Sequence, residues 1–321
     1  MTTATPPASP AQPTPAQPPR PPRSRWFKLL WIIPAVLVGA LLIVLAARAI
    51  STLPAIRDFM TTYPGQSALP SSAPVGFPAW LEWQHFLSSF FMLFIIRTGW
   101  QVHTTRRAEA YWTRNNKGLI KTKGQPVRIP LHLWFHLTMD VLFVLNGLVF
   151  YVLIFVSGQW VRIVPTRWDV IPNAITAGIK YASLNWPTED GWVNYNALQL
   201  LTYFVTVFIA APLAVLTGLR MVPGLAGRWK PFDKAYPAVV ARKLHYPIFI
   251  YFLAFILVHV TLVLATGALR NLNHMYGGSD DVNWVGFAFF AGSLVLMVGG
   301  WFAARPVLLA SLASLGGRVG R

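Results

Sequence analysis

His245 and His259 lie fourteen residues apart on one long apolar run, Leu244 to Thr266. At about 100° per residue that spacing is roughly 40° short of four helical turns, with a rise of roughly 21 Å. Both imidazoles therefore point the same way at two depths. Imidazole is an axial ligand of haem iron, so one helix with two aligned histidines can carry half the ligands of two stacked metal centres. The plain alternative is that each histidine only hydrogen-bonds to a neighbouring helix. Ionisable groups inside hydrocarbon are costly, however, and two on one face mark a cofactor or a pathway.

The elements that must hold such a pair are membrane helices. The chain of 321 residues is 55% hydrophobic and only 12% charged, with 14 Trp, too apolar for a soluble domain of this length. Six continuous runs are long enough to cross about 30 Å of hydrocarbon: Trp26–Ala47, Leu81–Val102, Leu131–Val156, Asn196–Leu219, Leu244–Thr266 and Trp284–Ala303. They do not alternate as barrel strands do. The expected fold is an all-α polytopic membrane protein with six transmembrane helices and a four-helix haem-binding bundle.

A net charge of +17 would suggest nucleic acid in a soluble protein, but its placement gives another reason. Twenty Lys/Arg fall on one side: at the start of the first run, after the second, after the fourth and in the carboxy-terminal tail. Six fall on the other side and Arg97 lies within a helix. The positive-inside rule then puts both termini in the cytoplasm of a cell inner (plasma) membrane, with no nucleic acid needed. Basic loops also suit anionic lipid or an acidic partner.

Residues 1–24 are Pro-, Ala-, Thr- and Gln-rich, as in a disordered cytoplasmic tail. Residues 25–50 are expected to form an extra amino-terminal anchor, residues 80–280 the bundle, and residues 281–321 the sixth helix and tail. With no Cys in the chain, a covalent c-type haem and Fe–S ligation are excluded, so any haem is held noncovalently.

Depth selects the partners. The second helix runs inward, placing His85 near the outer face, and the third runs outward, placing His132 and His136 near the inner face. His259 is then at the level of His85, and His245 at that of His136 or His132. Those two are four apart on one helical face, so spacing does not separate them, and depth favours His136. His103 and His274 lie beyond helix ends, where a solvated position is expected. Gly99, Gly147 and Gly218 leave room beside a flat macrocycle, though Gly also serves close helix packing. Arg97 and Asp140 are charges within apolar runs. Arg97 comes near the inner level, where it is expected to pair with a haem propionate or with Asp140. Glu82, Trp83, Trp160 and Trp168 suit an interfacial belt.

The chain resembles the di-haem cytochrome b membrane subunits of respiratory formate dehydrogenases, nickel-iron hydrogenases and thiosulfate reductases. The resemblance rests on Trp83-Gln84-His85-Phe86, Arg97-Thr98-Gly99, Leu216-Thr217-Gly218-Leu219, Lys243-Leu244-His245 and Val258-His259-Val260, and covers roughly residues 80–280. The run from His136 to Asn146-Gly147, then Ser157-Gly158-Gln159-Trp160, is similar to cytochromes that accompany sulfite-oxidase-type molybdopterin oxidoreductases. The family implies His85, His136, His245 and His259 as iron ligands of two b haems. It also implies electron passage between quinone and a catalytic oxidoreductase subunit, a molybdopterin or iron-sulfur protein. The extra first helix departs from the family by reversing the ligand-bearing helices.

The expected function is thus that of a respiratory electron-transport subunit, with no catalytic residue of its own assigned. Three alternatives use the same residues: a haem-free proton-coupled transporter gated by Arg97 and Asp140, a noncatalytic anchor, and a transmembrane metalloreductase.

Overall fold

A computed structural model describes residues 25–116, 126–186, 190–224 and 230–320. The amino-terminal tail and the basic positions Lys117, Lys121, Lys123, Arg228 and Arg321 lie outside the described residues. The chain is an all-α, multi-pass membrane protein: six of its helices are long and apolar enough to cross a bilayer.

In order these elements are α1 (Arg25–Ser51), α2 (Pro54–Thr62), α3 (Ala79–Thr104), β1 (Tyr111–Arg114), β2 (Arg128–Pro130), α4 (Leu131–Val156) and α5 (Val170–Ala182). Then come α6 (Ala197–Phe204), a π-helical stretch (Val205–Ala210), α7 (Ala211–Met221), α8 (Lys230–Ala235) and α9 (Ala238–Ala265). The chain ends with α10 (Ala268–Leu272), a second π stretch (Asn273–Gly277), α11 (Val285–Ala303), α12 (Pro306–Ser314) and β3 (Gly317–Gly320). α6, the first π stretch and α7 form one span, Ala197–Met221.

Local chemistry sets several of these bounds. The fourth span opens on a capping box, in which the Gln199 N–H donates to Asn196 Oδ1 (2.9 Å) and the Asn196 N–H to Gln199 Oε1 (3.2 Å). Pro212 has no N–H to give to the preceding turn, and the helix widens into the π stretch just before it. There the Tyr151 hydroxyl, from α4, donates to the Val207 carbonyl at 2.6 Å. The fifth span starts six residues earlier than the apolar run suggested, at Ala238 behind Pro237, because Arg242 and Lys243 fit its first turns.

α3 packs along α4, and α7 along α9, while the backbones of these two pairs make little close approach to each other. The bundle is therefore two helix pairs that meet mainly through side chains, along a seam, the slot, in which Tyr151 reaches Val207 and His85 meets His259. Phe94, Phe135 and Met139 form the dry seam of the first pair, which extends to Ala304, Leu309 and Ala313. α1 stands outside, touching α5 and α2 and burying little beyond Ala47. α11 also lies outside the slot, against α3 and the second π stretch.

The second π stretch is fixed by Asn273, which is fully buried. Its amide donates to the Asp281 carbonyl (2.6 Å) and to Asn283 Oδ1 (2.9 Å), and its Oδ1 accepts from the Gly286 N–H (2.5 Å). Gly286 lies so close to the Leu272 and Asn273 backbone that a Cβ would overlap it. Two features have no counterpart in the apolar runs. One is an antiparallel sheet, order β2-β1-β3, which ties the chain end to the loop after α3. The other is the surface helix α5, which packs on α6 and touches α1 and α2.

Candidate functional site

His85 on α3 and His259 on α9 face each other across the slot with ring centroids 6.3 Å apart and planes at 57°. Among the described residues neither ring has a recorded hydrogen bond, and His85 Nδ1 is buried without a partner. A sealed, unpaired imidazole nitrogen is expensive, since folding strips its water and returns nothing. Aromatic walls hold both rings in place. Phe255, one turn before His259, stacks on it (5.5 Å, 9°), and Tyr203 meets it edge-on (6.1 Å). Tyr276 of the second π stretch stands edge-on to His85 at 5.8 Å.

His136 on α4 and His245 on α9 stand on opposite helix pairs. Each is held by the same device. Thr98 Oγ1 lies 2.8 Å from His136 Nδ1, and Thr217 Oγ1 lies 2.8 Å from His245 Nδ1. Each hydroxyl already donates to a carbonyl of its own helix, Phe94 O and Leu213 O, both at 2.6 Å. With its proton committed there, each oxygen accepts from Nδ1–H, which leaves Nε2 as the lone-pair nitrogen. The next residue in each case is glycine. A Cβ on Gly99 would stand 3.4 Å from His136 Cε1, and one on Gly218 3.7 Å from His245 Cε1. Thr-Gly thus acts twice, once in each helix pair, to seat an imidazole from the neighbouring helix. His132, one turn from His136, is half-buried and has no such recorded partner among the described residues.

The room at Gly99 and Gly218 therefore receives imidazole edges, while Gly147 has nothing within 4 Å. Arg97 is placed differently from the expectation. It donates to the Trp301 carbonyl (2.5 Å) and the Ala304 carbonyl (3.1 Å) and lies 4.4 Å over the Trp301 ring. These are the otherwise orphan carbonyls at the end of α11, where a cation also suits the helix dipole. No Arg97–Asp140 pair occurs among the described residues. Asp140 instead stands 3.6 Å from His136 Nε2, one turn along α4.

His103 is exposed and stacks on Tyr246 (5.2 Å). His274 is not the solvated residue expected from its place beyond a helix end: it is 4% exposed and packs on Trp192 (5.4 Å). Its Nε2 lies 2.6 Å from Asp280 Oδ1. Donor atoms of Asp190, His274 and Asp280 cluster within 4.8 Å, as metal ligands do. Arg270 already fills that role, bonded to Asp280 at 2.8 and 3.0 Å and 3.3 Å from Asp190. These bonds, from Arg270 first and His274 second, hold the Asp280 carboxyl down at about 2.

Unfolded aspartate titrates near 4, so this group's contribution is complete above about pH 4 and is lost as pH falls through about 2. The Asp280 side chain is 39% exposed, so the effect is expected to be local. Amide protection across residues 270–281 should hold from pH 7 to 4 and drop between 4 and 2. In Asp280→Asn it should be low at every pH. Equal protection in both proteins would contradict the assignment.

Sequence reading also gave Arg162 no role. It is 1% exposed and donates to the carbonyls of Gly76 (2.7 Å), Gly191 (2.6 Å) and Trp192 (3.1 Å). It lies over Phe77 and Tyr195, 4.7 and 5.1 Å from their ring centres. Burial lowers its pKa from the ordinary arginine value, with Tyr195 and Asp190 opposing. Burial pushes Tyr195 up to about 12, Arg162 partly offsetting it. One cation thus gathers three loops over the His85–His259 level. The signal available was an arginine two residues after Trp160, which looked like an ordinary loop charge.

Imidazoles from opposite helix pairs thus meet at His85 and His259, while His136 and His245 are each seated by a Thr-Gly pair. In comparisons with protein-family models, curated proteins and solved structures, the chain matches none.

Proposed function

We propose that the protein is a membrane cytochrome b that carries electrons through two bis-histidine b haems between quinone and a partner oxidoreductase subunit. The observation that supports this most is the His85–His259 pair. Two imidazoles that share an ion at about 2 Å from each nitrogen have ring centroids roughly 6 Å apart. The observed separation is 6.3 Å, with no protein hydrogen bond to explain why the rings meet. His136 and His245 would hold the second haem, with Thr98 and Thr217 as outer hydrogen-bond partners on Nδ1.

When bound, each haem supplies one-electron redox chemistry. The chain's own residues ligate it, orient it and exclude water. Imidazole on both faces leaves no open iron position, which favours electron transfer over oxygen chemistry. The basic loops favour cytoplasmic termini in a plasma membrane.

The test is the purified full-length protein from haem-replete cells. We expect a dithionite-reduced b-type spectrum, two haems per chain by pyridine haemochrome, and haem reduction by quinol. A colourless folded protein would point to the transporter or the anchor. Reduction by quinol failing while a soluble ferric chelate oxidises the haems would point to the metalloreductase. The Asp140–His136 contact is the observation that keeps the transporter reading in view.

A further inference from the structure

Away from the histidine slot, the foot of α1 meets α2 and the end of α5 around an open cavity of about 380 Å³. Arg48, Ser51, Met60, Lys180, Ser183 and Leu184 line it, and no histidine-bearing helix contributes. Arg48 Nε donates to the Ser183 carbonyl (3.0 Å) and Lys180 Nζ to the Pro64 carbonyl (2.7 Å). Those neutral acceptors use part of each donor set, and neither cation has a carboxylate partner among the described residues.

Depth narrows the ligand. Arg48 and Ser51 occupy the last turn of the apolar span Leu29–Ser51, the level at which hydrocarbon gives way to lipid phosphates. Leu41 and Leu45 lie exposed higher on the same helix, where acyl chains run. The cavity wall carries a further sign. α5 ends with the Leu184 N–H bonded to the Tyr181 carbonyl and the Asn185 N–H to the Lys180 carbonyl, both at 3.1 Å. That turn normally uses glycine, since its residue is left-handed. Leu184 takes it with φ 57°, as the one non-glycine of positive φ among the described residues, and its side chain is 55% exposed. A strained backbone that holds an uncovered apolar side chain beside two cations without a carboxylate partner is what an amphiphile would reward.

We infer that this cavity binds the phosphate headgroup of an anionic phospholipid between Arg48 and Lys180, with Leu184 against its glycerol and acyl root. The lipid then fastens α1, which few protein contacts hold, to α5. This does not depend on the haem reading.

The full-length protein in detergent, titrated with phosphatidylglycerol and read by native mass spectrometry, should retain one lipid per chain. Phosphatidylcholine should be lost under the same activation. Each basic residue near a lipid surface contributes about 1 kcal/mol, so Arg48→Gln/Lys180→Gln should bind phosphatidylglycerol roughly thirty-fold more weakly. Arg106→Gln/Arg107→Gln, which removes the same charge elsewhere, should bind as the wild type does. If the double variant does not fold, Lys180→Gln alone, at a solvent-facing amine, should bind about five-fold more weakly. Unchanged affinity in these variants, or equal retention of phosphatidylcholine, would overturn the inference. So would displacement of the lipid by inorganic phosphate, which would mark a site for a soluble anion.

Discussion

If the protein binds two b haems as proposed, replacing His85 by Ala is expected to leave one per chain, and replacing His136 to leave the other one. The two levels share α9 but draw their second ligands from α3 and α4. The Phe255, Tyr203 and Tyr276 walls at one level and the Thr-Gly seats at the other belong to different residues. A pyridine haemochrome count, followed by redox titration of the haem that remains, measures this. The surviving centres should differ between the variants, and a single identical centre in both would sink the pairing. His132→Ala should keep two haems, because that ring has no orienting hydrogen bond among the described residues. Thr98→Val and Thr217→Val should keep the ligands but lose their outer hydrogen bonds. Haem at the His136 level is then expected to be held roughly 10–100-fold more weakly, the usual effect of removing a ligand's partner.

Arg162→Ala is expected to be the most destabilising single change outside the slot. Its guanidinium satisfies the carbonyls of Gly76, Gly191 and Trp192 from a nearly sealed position. Hydrogen bonds to a charged group contribute about 1.5–3 kcal/mol each, and buried carbonyls left without donors add to the loss. A cost on the order of 3 kcal/mol or more is expected, centred on the loops over the His85–His259 level. Arg162→Lys should recover little of it, since one ammonium cannot span three carbonyls in a planar fork. Thermal unfolding in detergent gives the magnitude. Hydrogen exchange at residues 76–78 and 190–195 gives the place. Stability within about 0.5 kcal/mol of the wild type would show that the arginine does not organise this layer.

The membrane helices were legible because continuous hydrophobicity is a property of the chain itself. Leu131–Val156 begins and ends in the structure where the apolar run does, and the run Asn196–Leu219 lies within two residues of the span Ala197–Met221. The alignment of His245 with His259 followed from helical period alone, and the depth of His85 followed from the alternation of spans. Helical spacing left His132 and His136 equal, and depth favoured His136. Arg97 and Asp140 looked like natural partners because both are charged and inside apolar runs. Sequence spacing carries no information about which helix end is near, and the α11 carbonyls took the arginine.

By itself, then, the sequence determined that this is a six-span helical membrane protein with histidines at two levels. Period and hydropathy act within a single segment and need no knowledge of neighbours. Only the tertiary structure decided that two helix pairs meet side chain to side chain, that Thr98 and Thr217 seat His136 and His245, and that His274 and Arg162 are buried under the loop layer. Those outcomes depend on which donors and acceptors meet across segments far apart in the chain, a choice made by packing after each helix has formed.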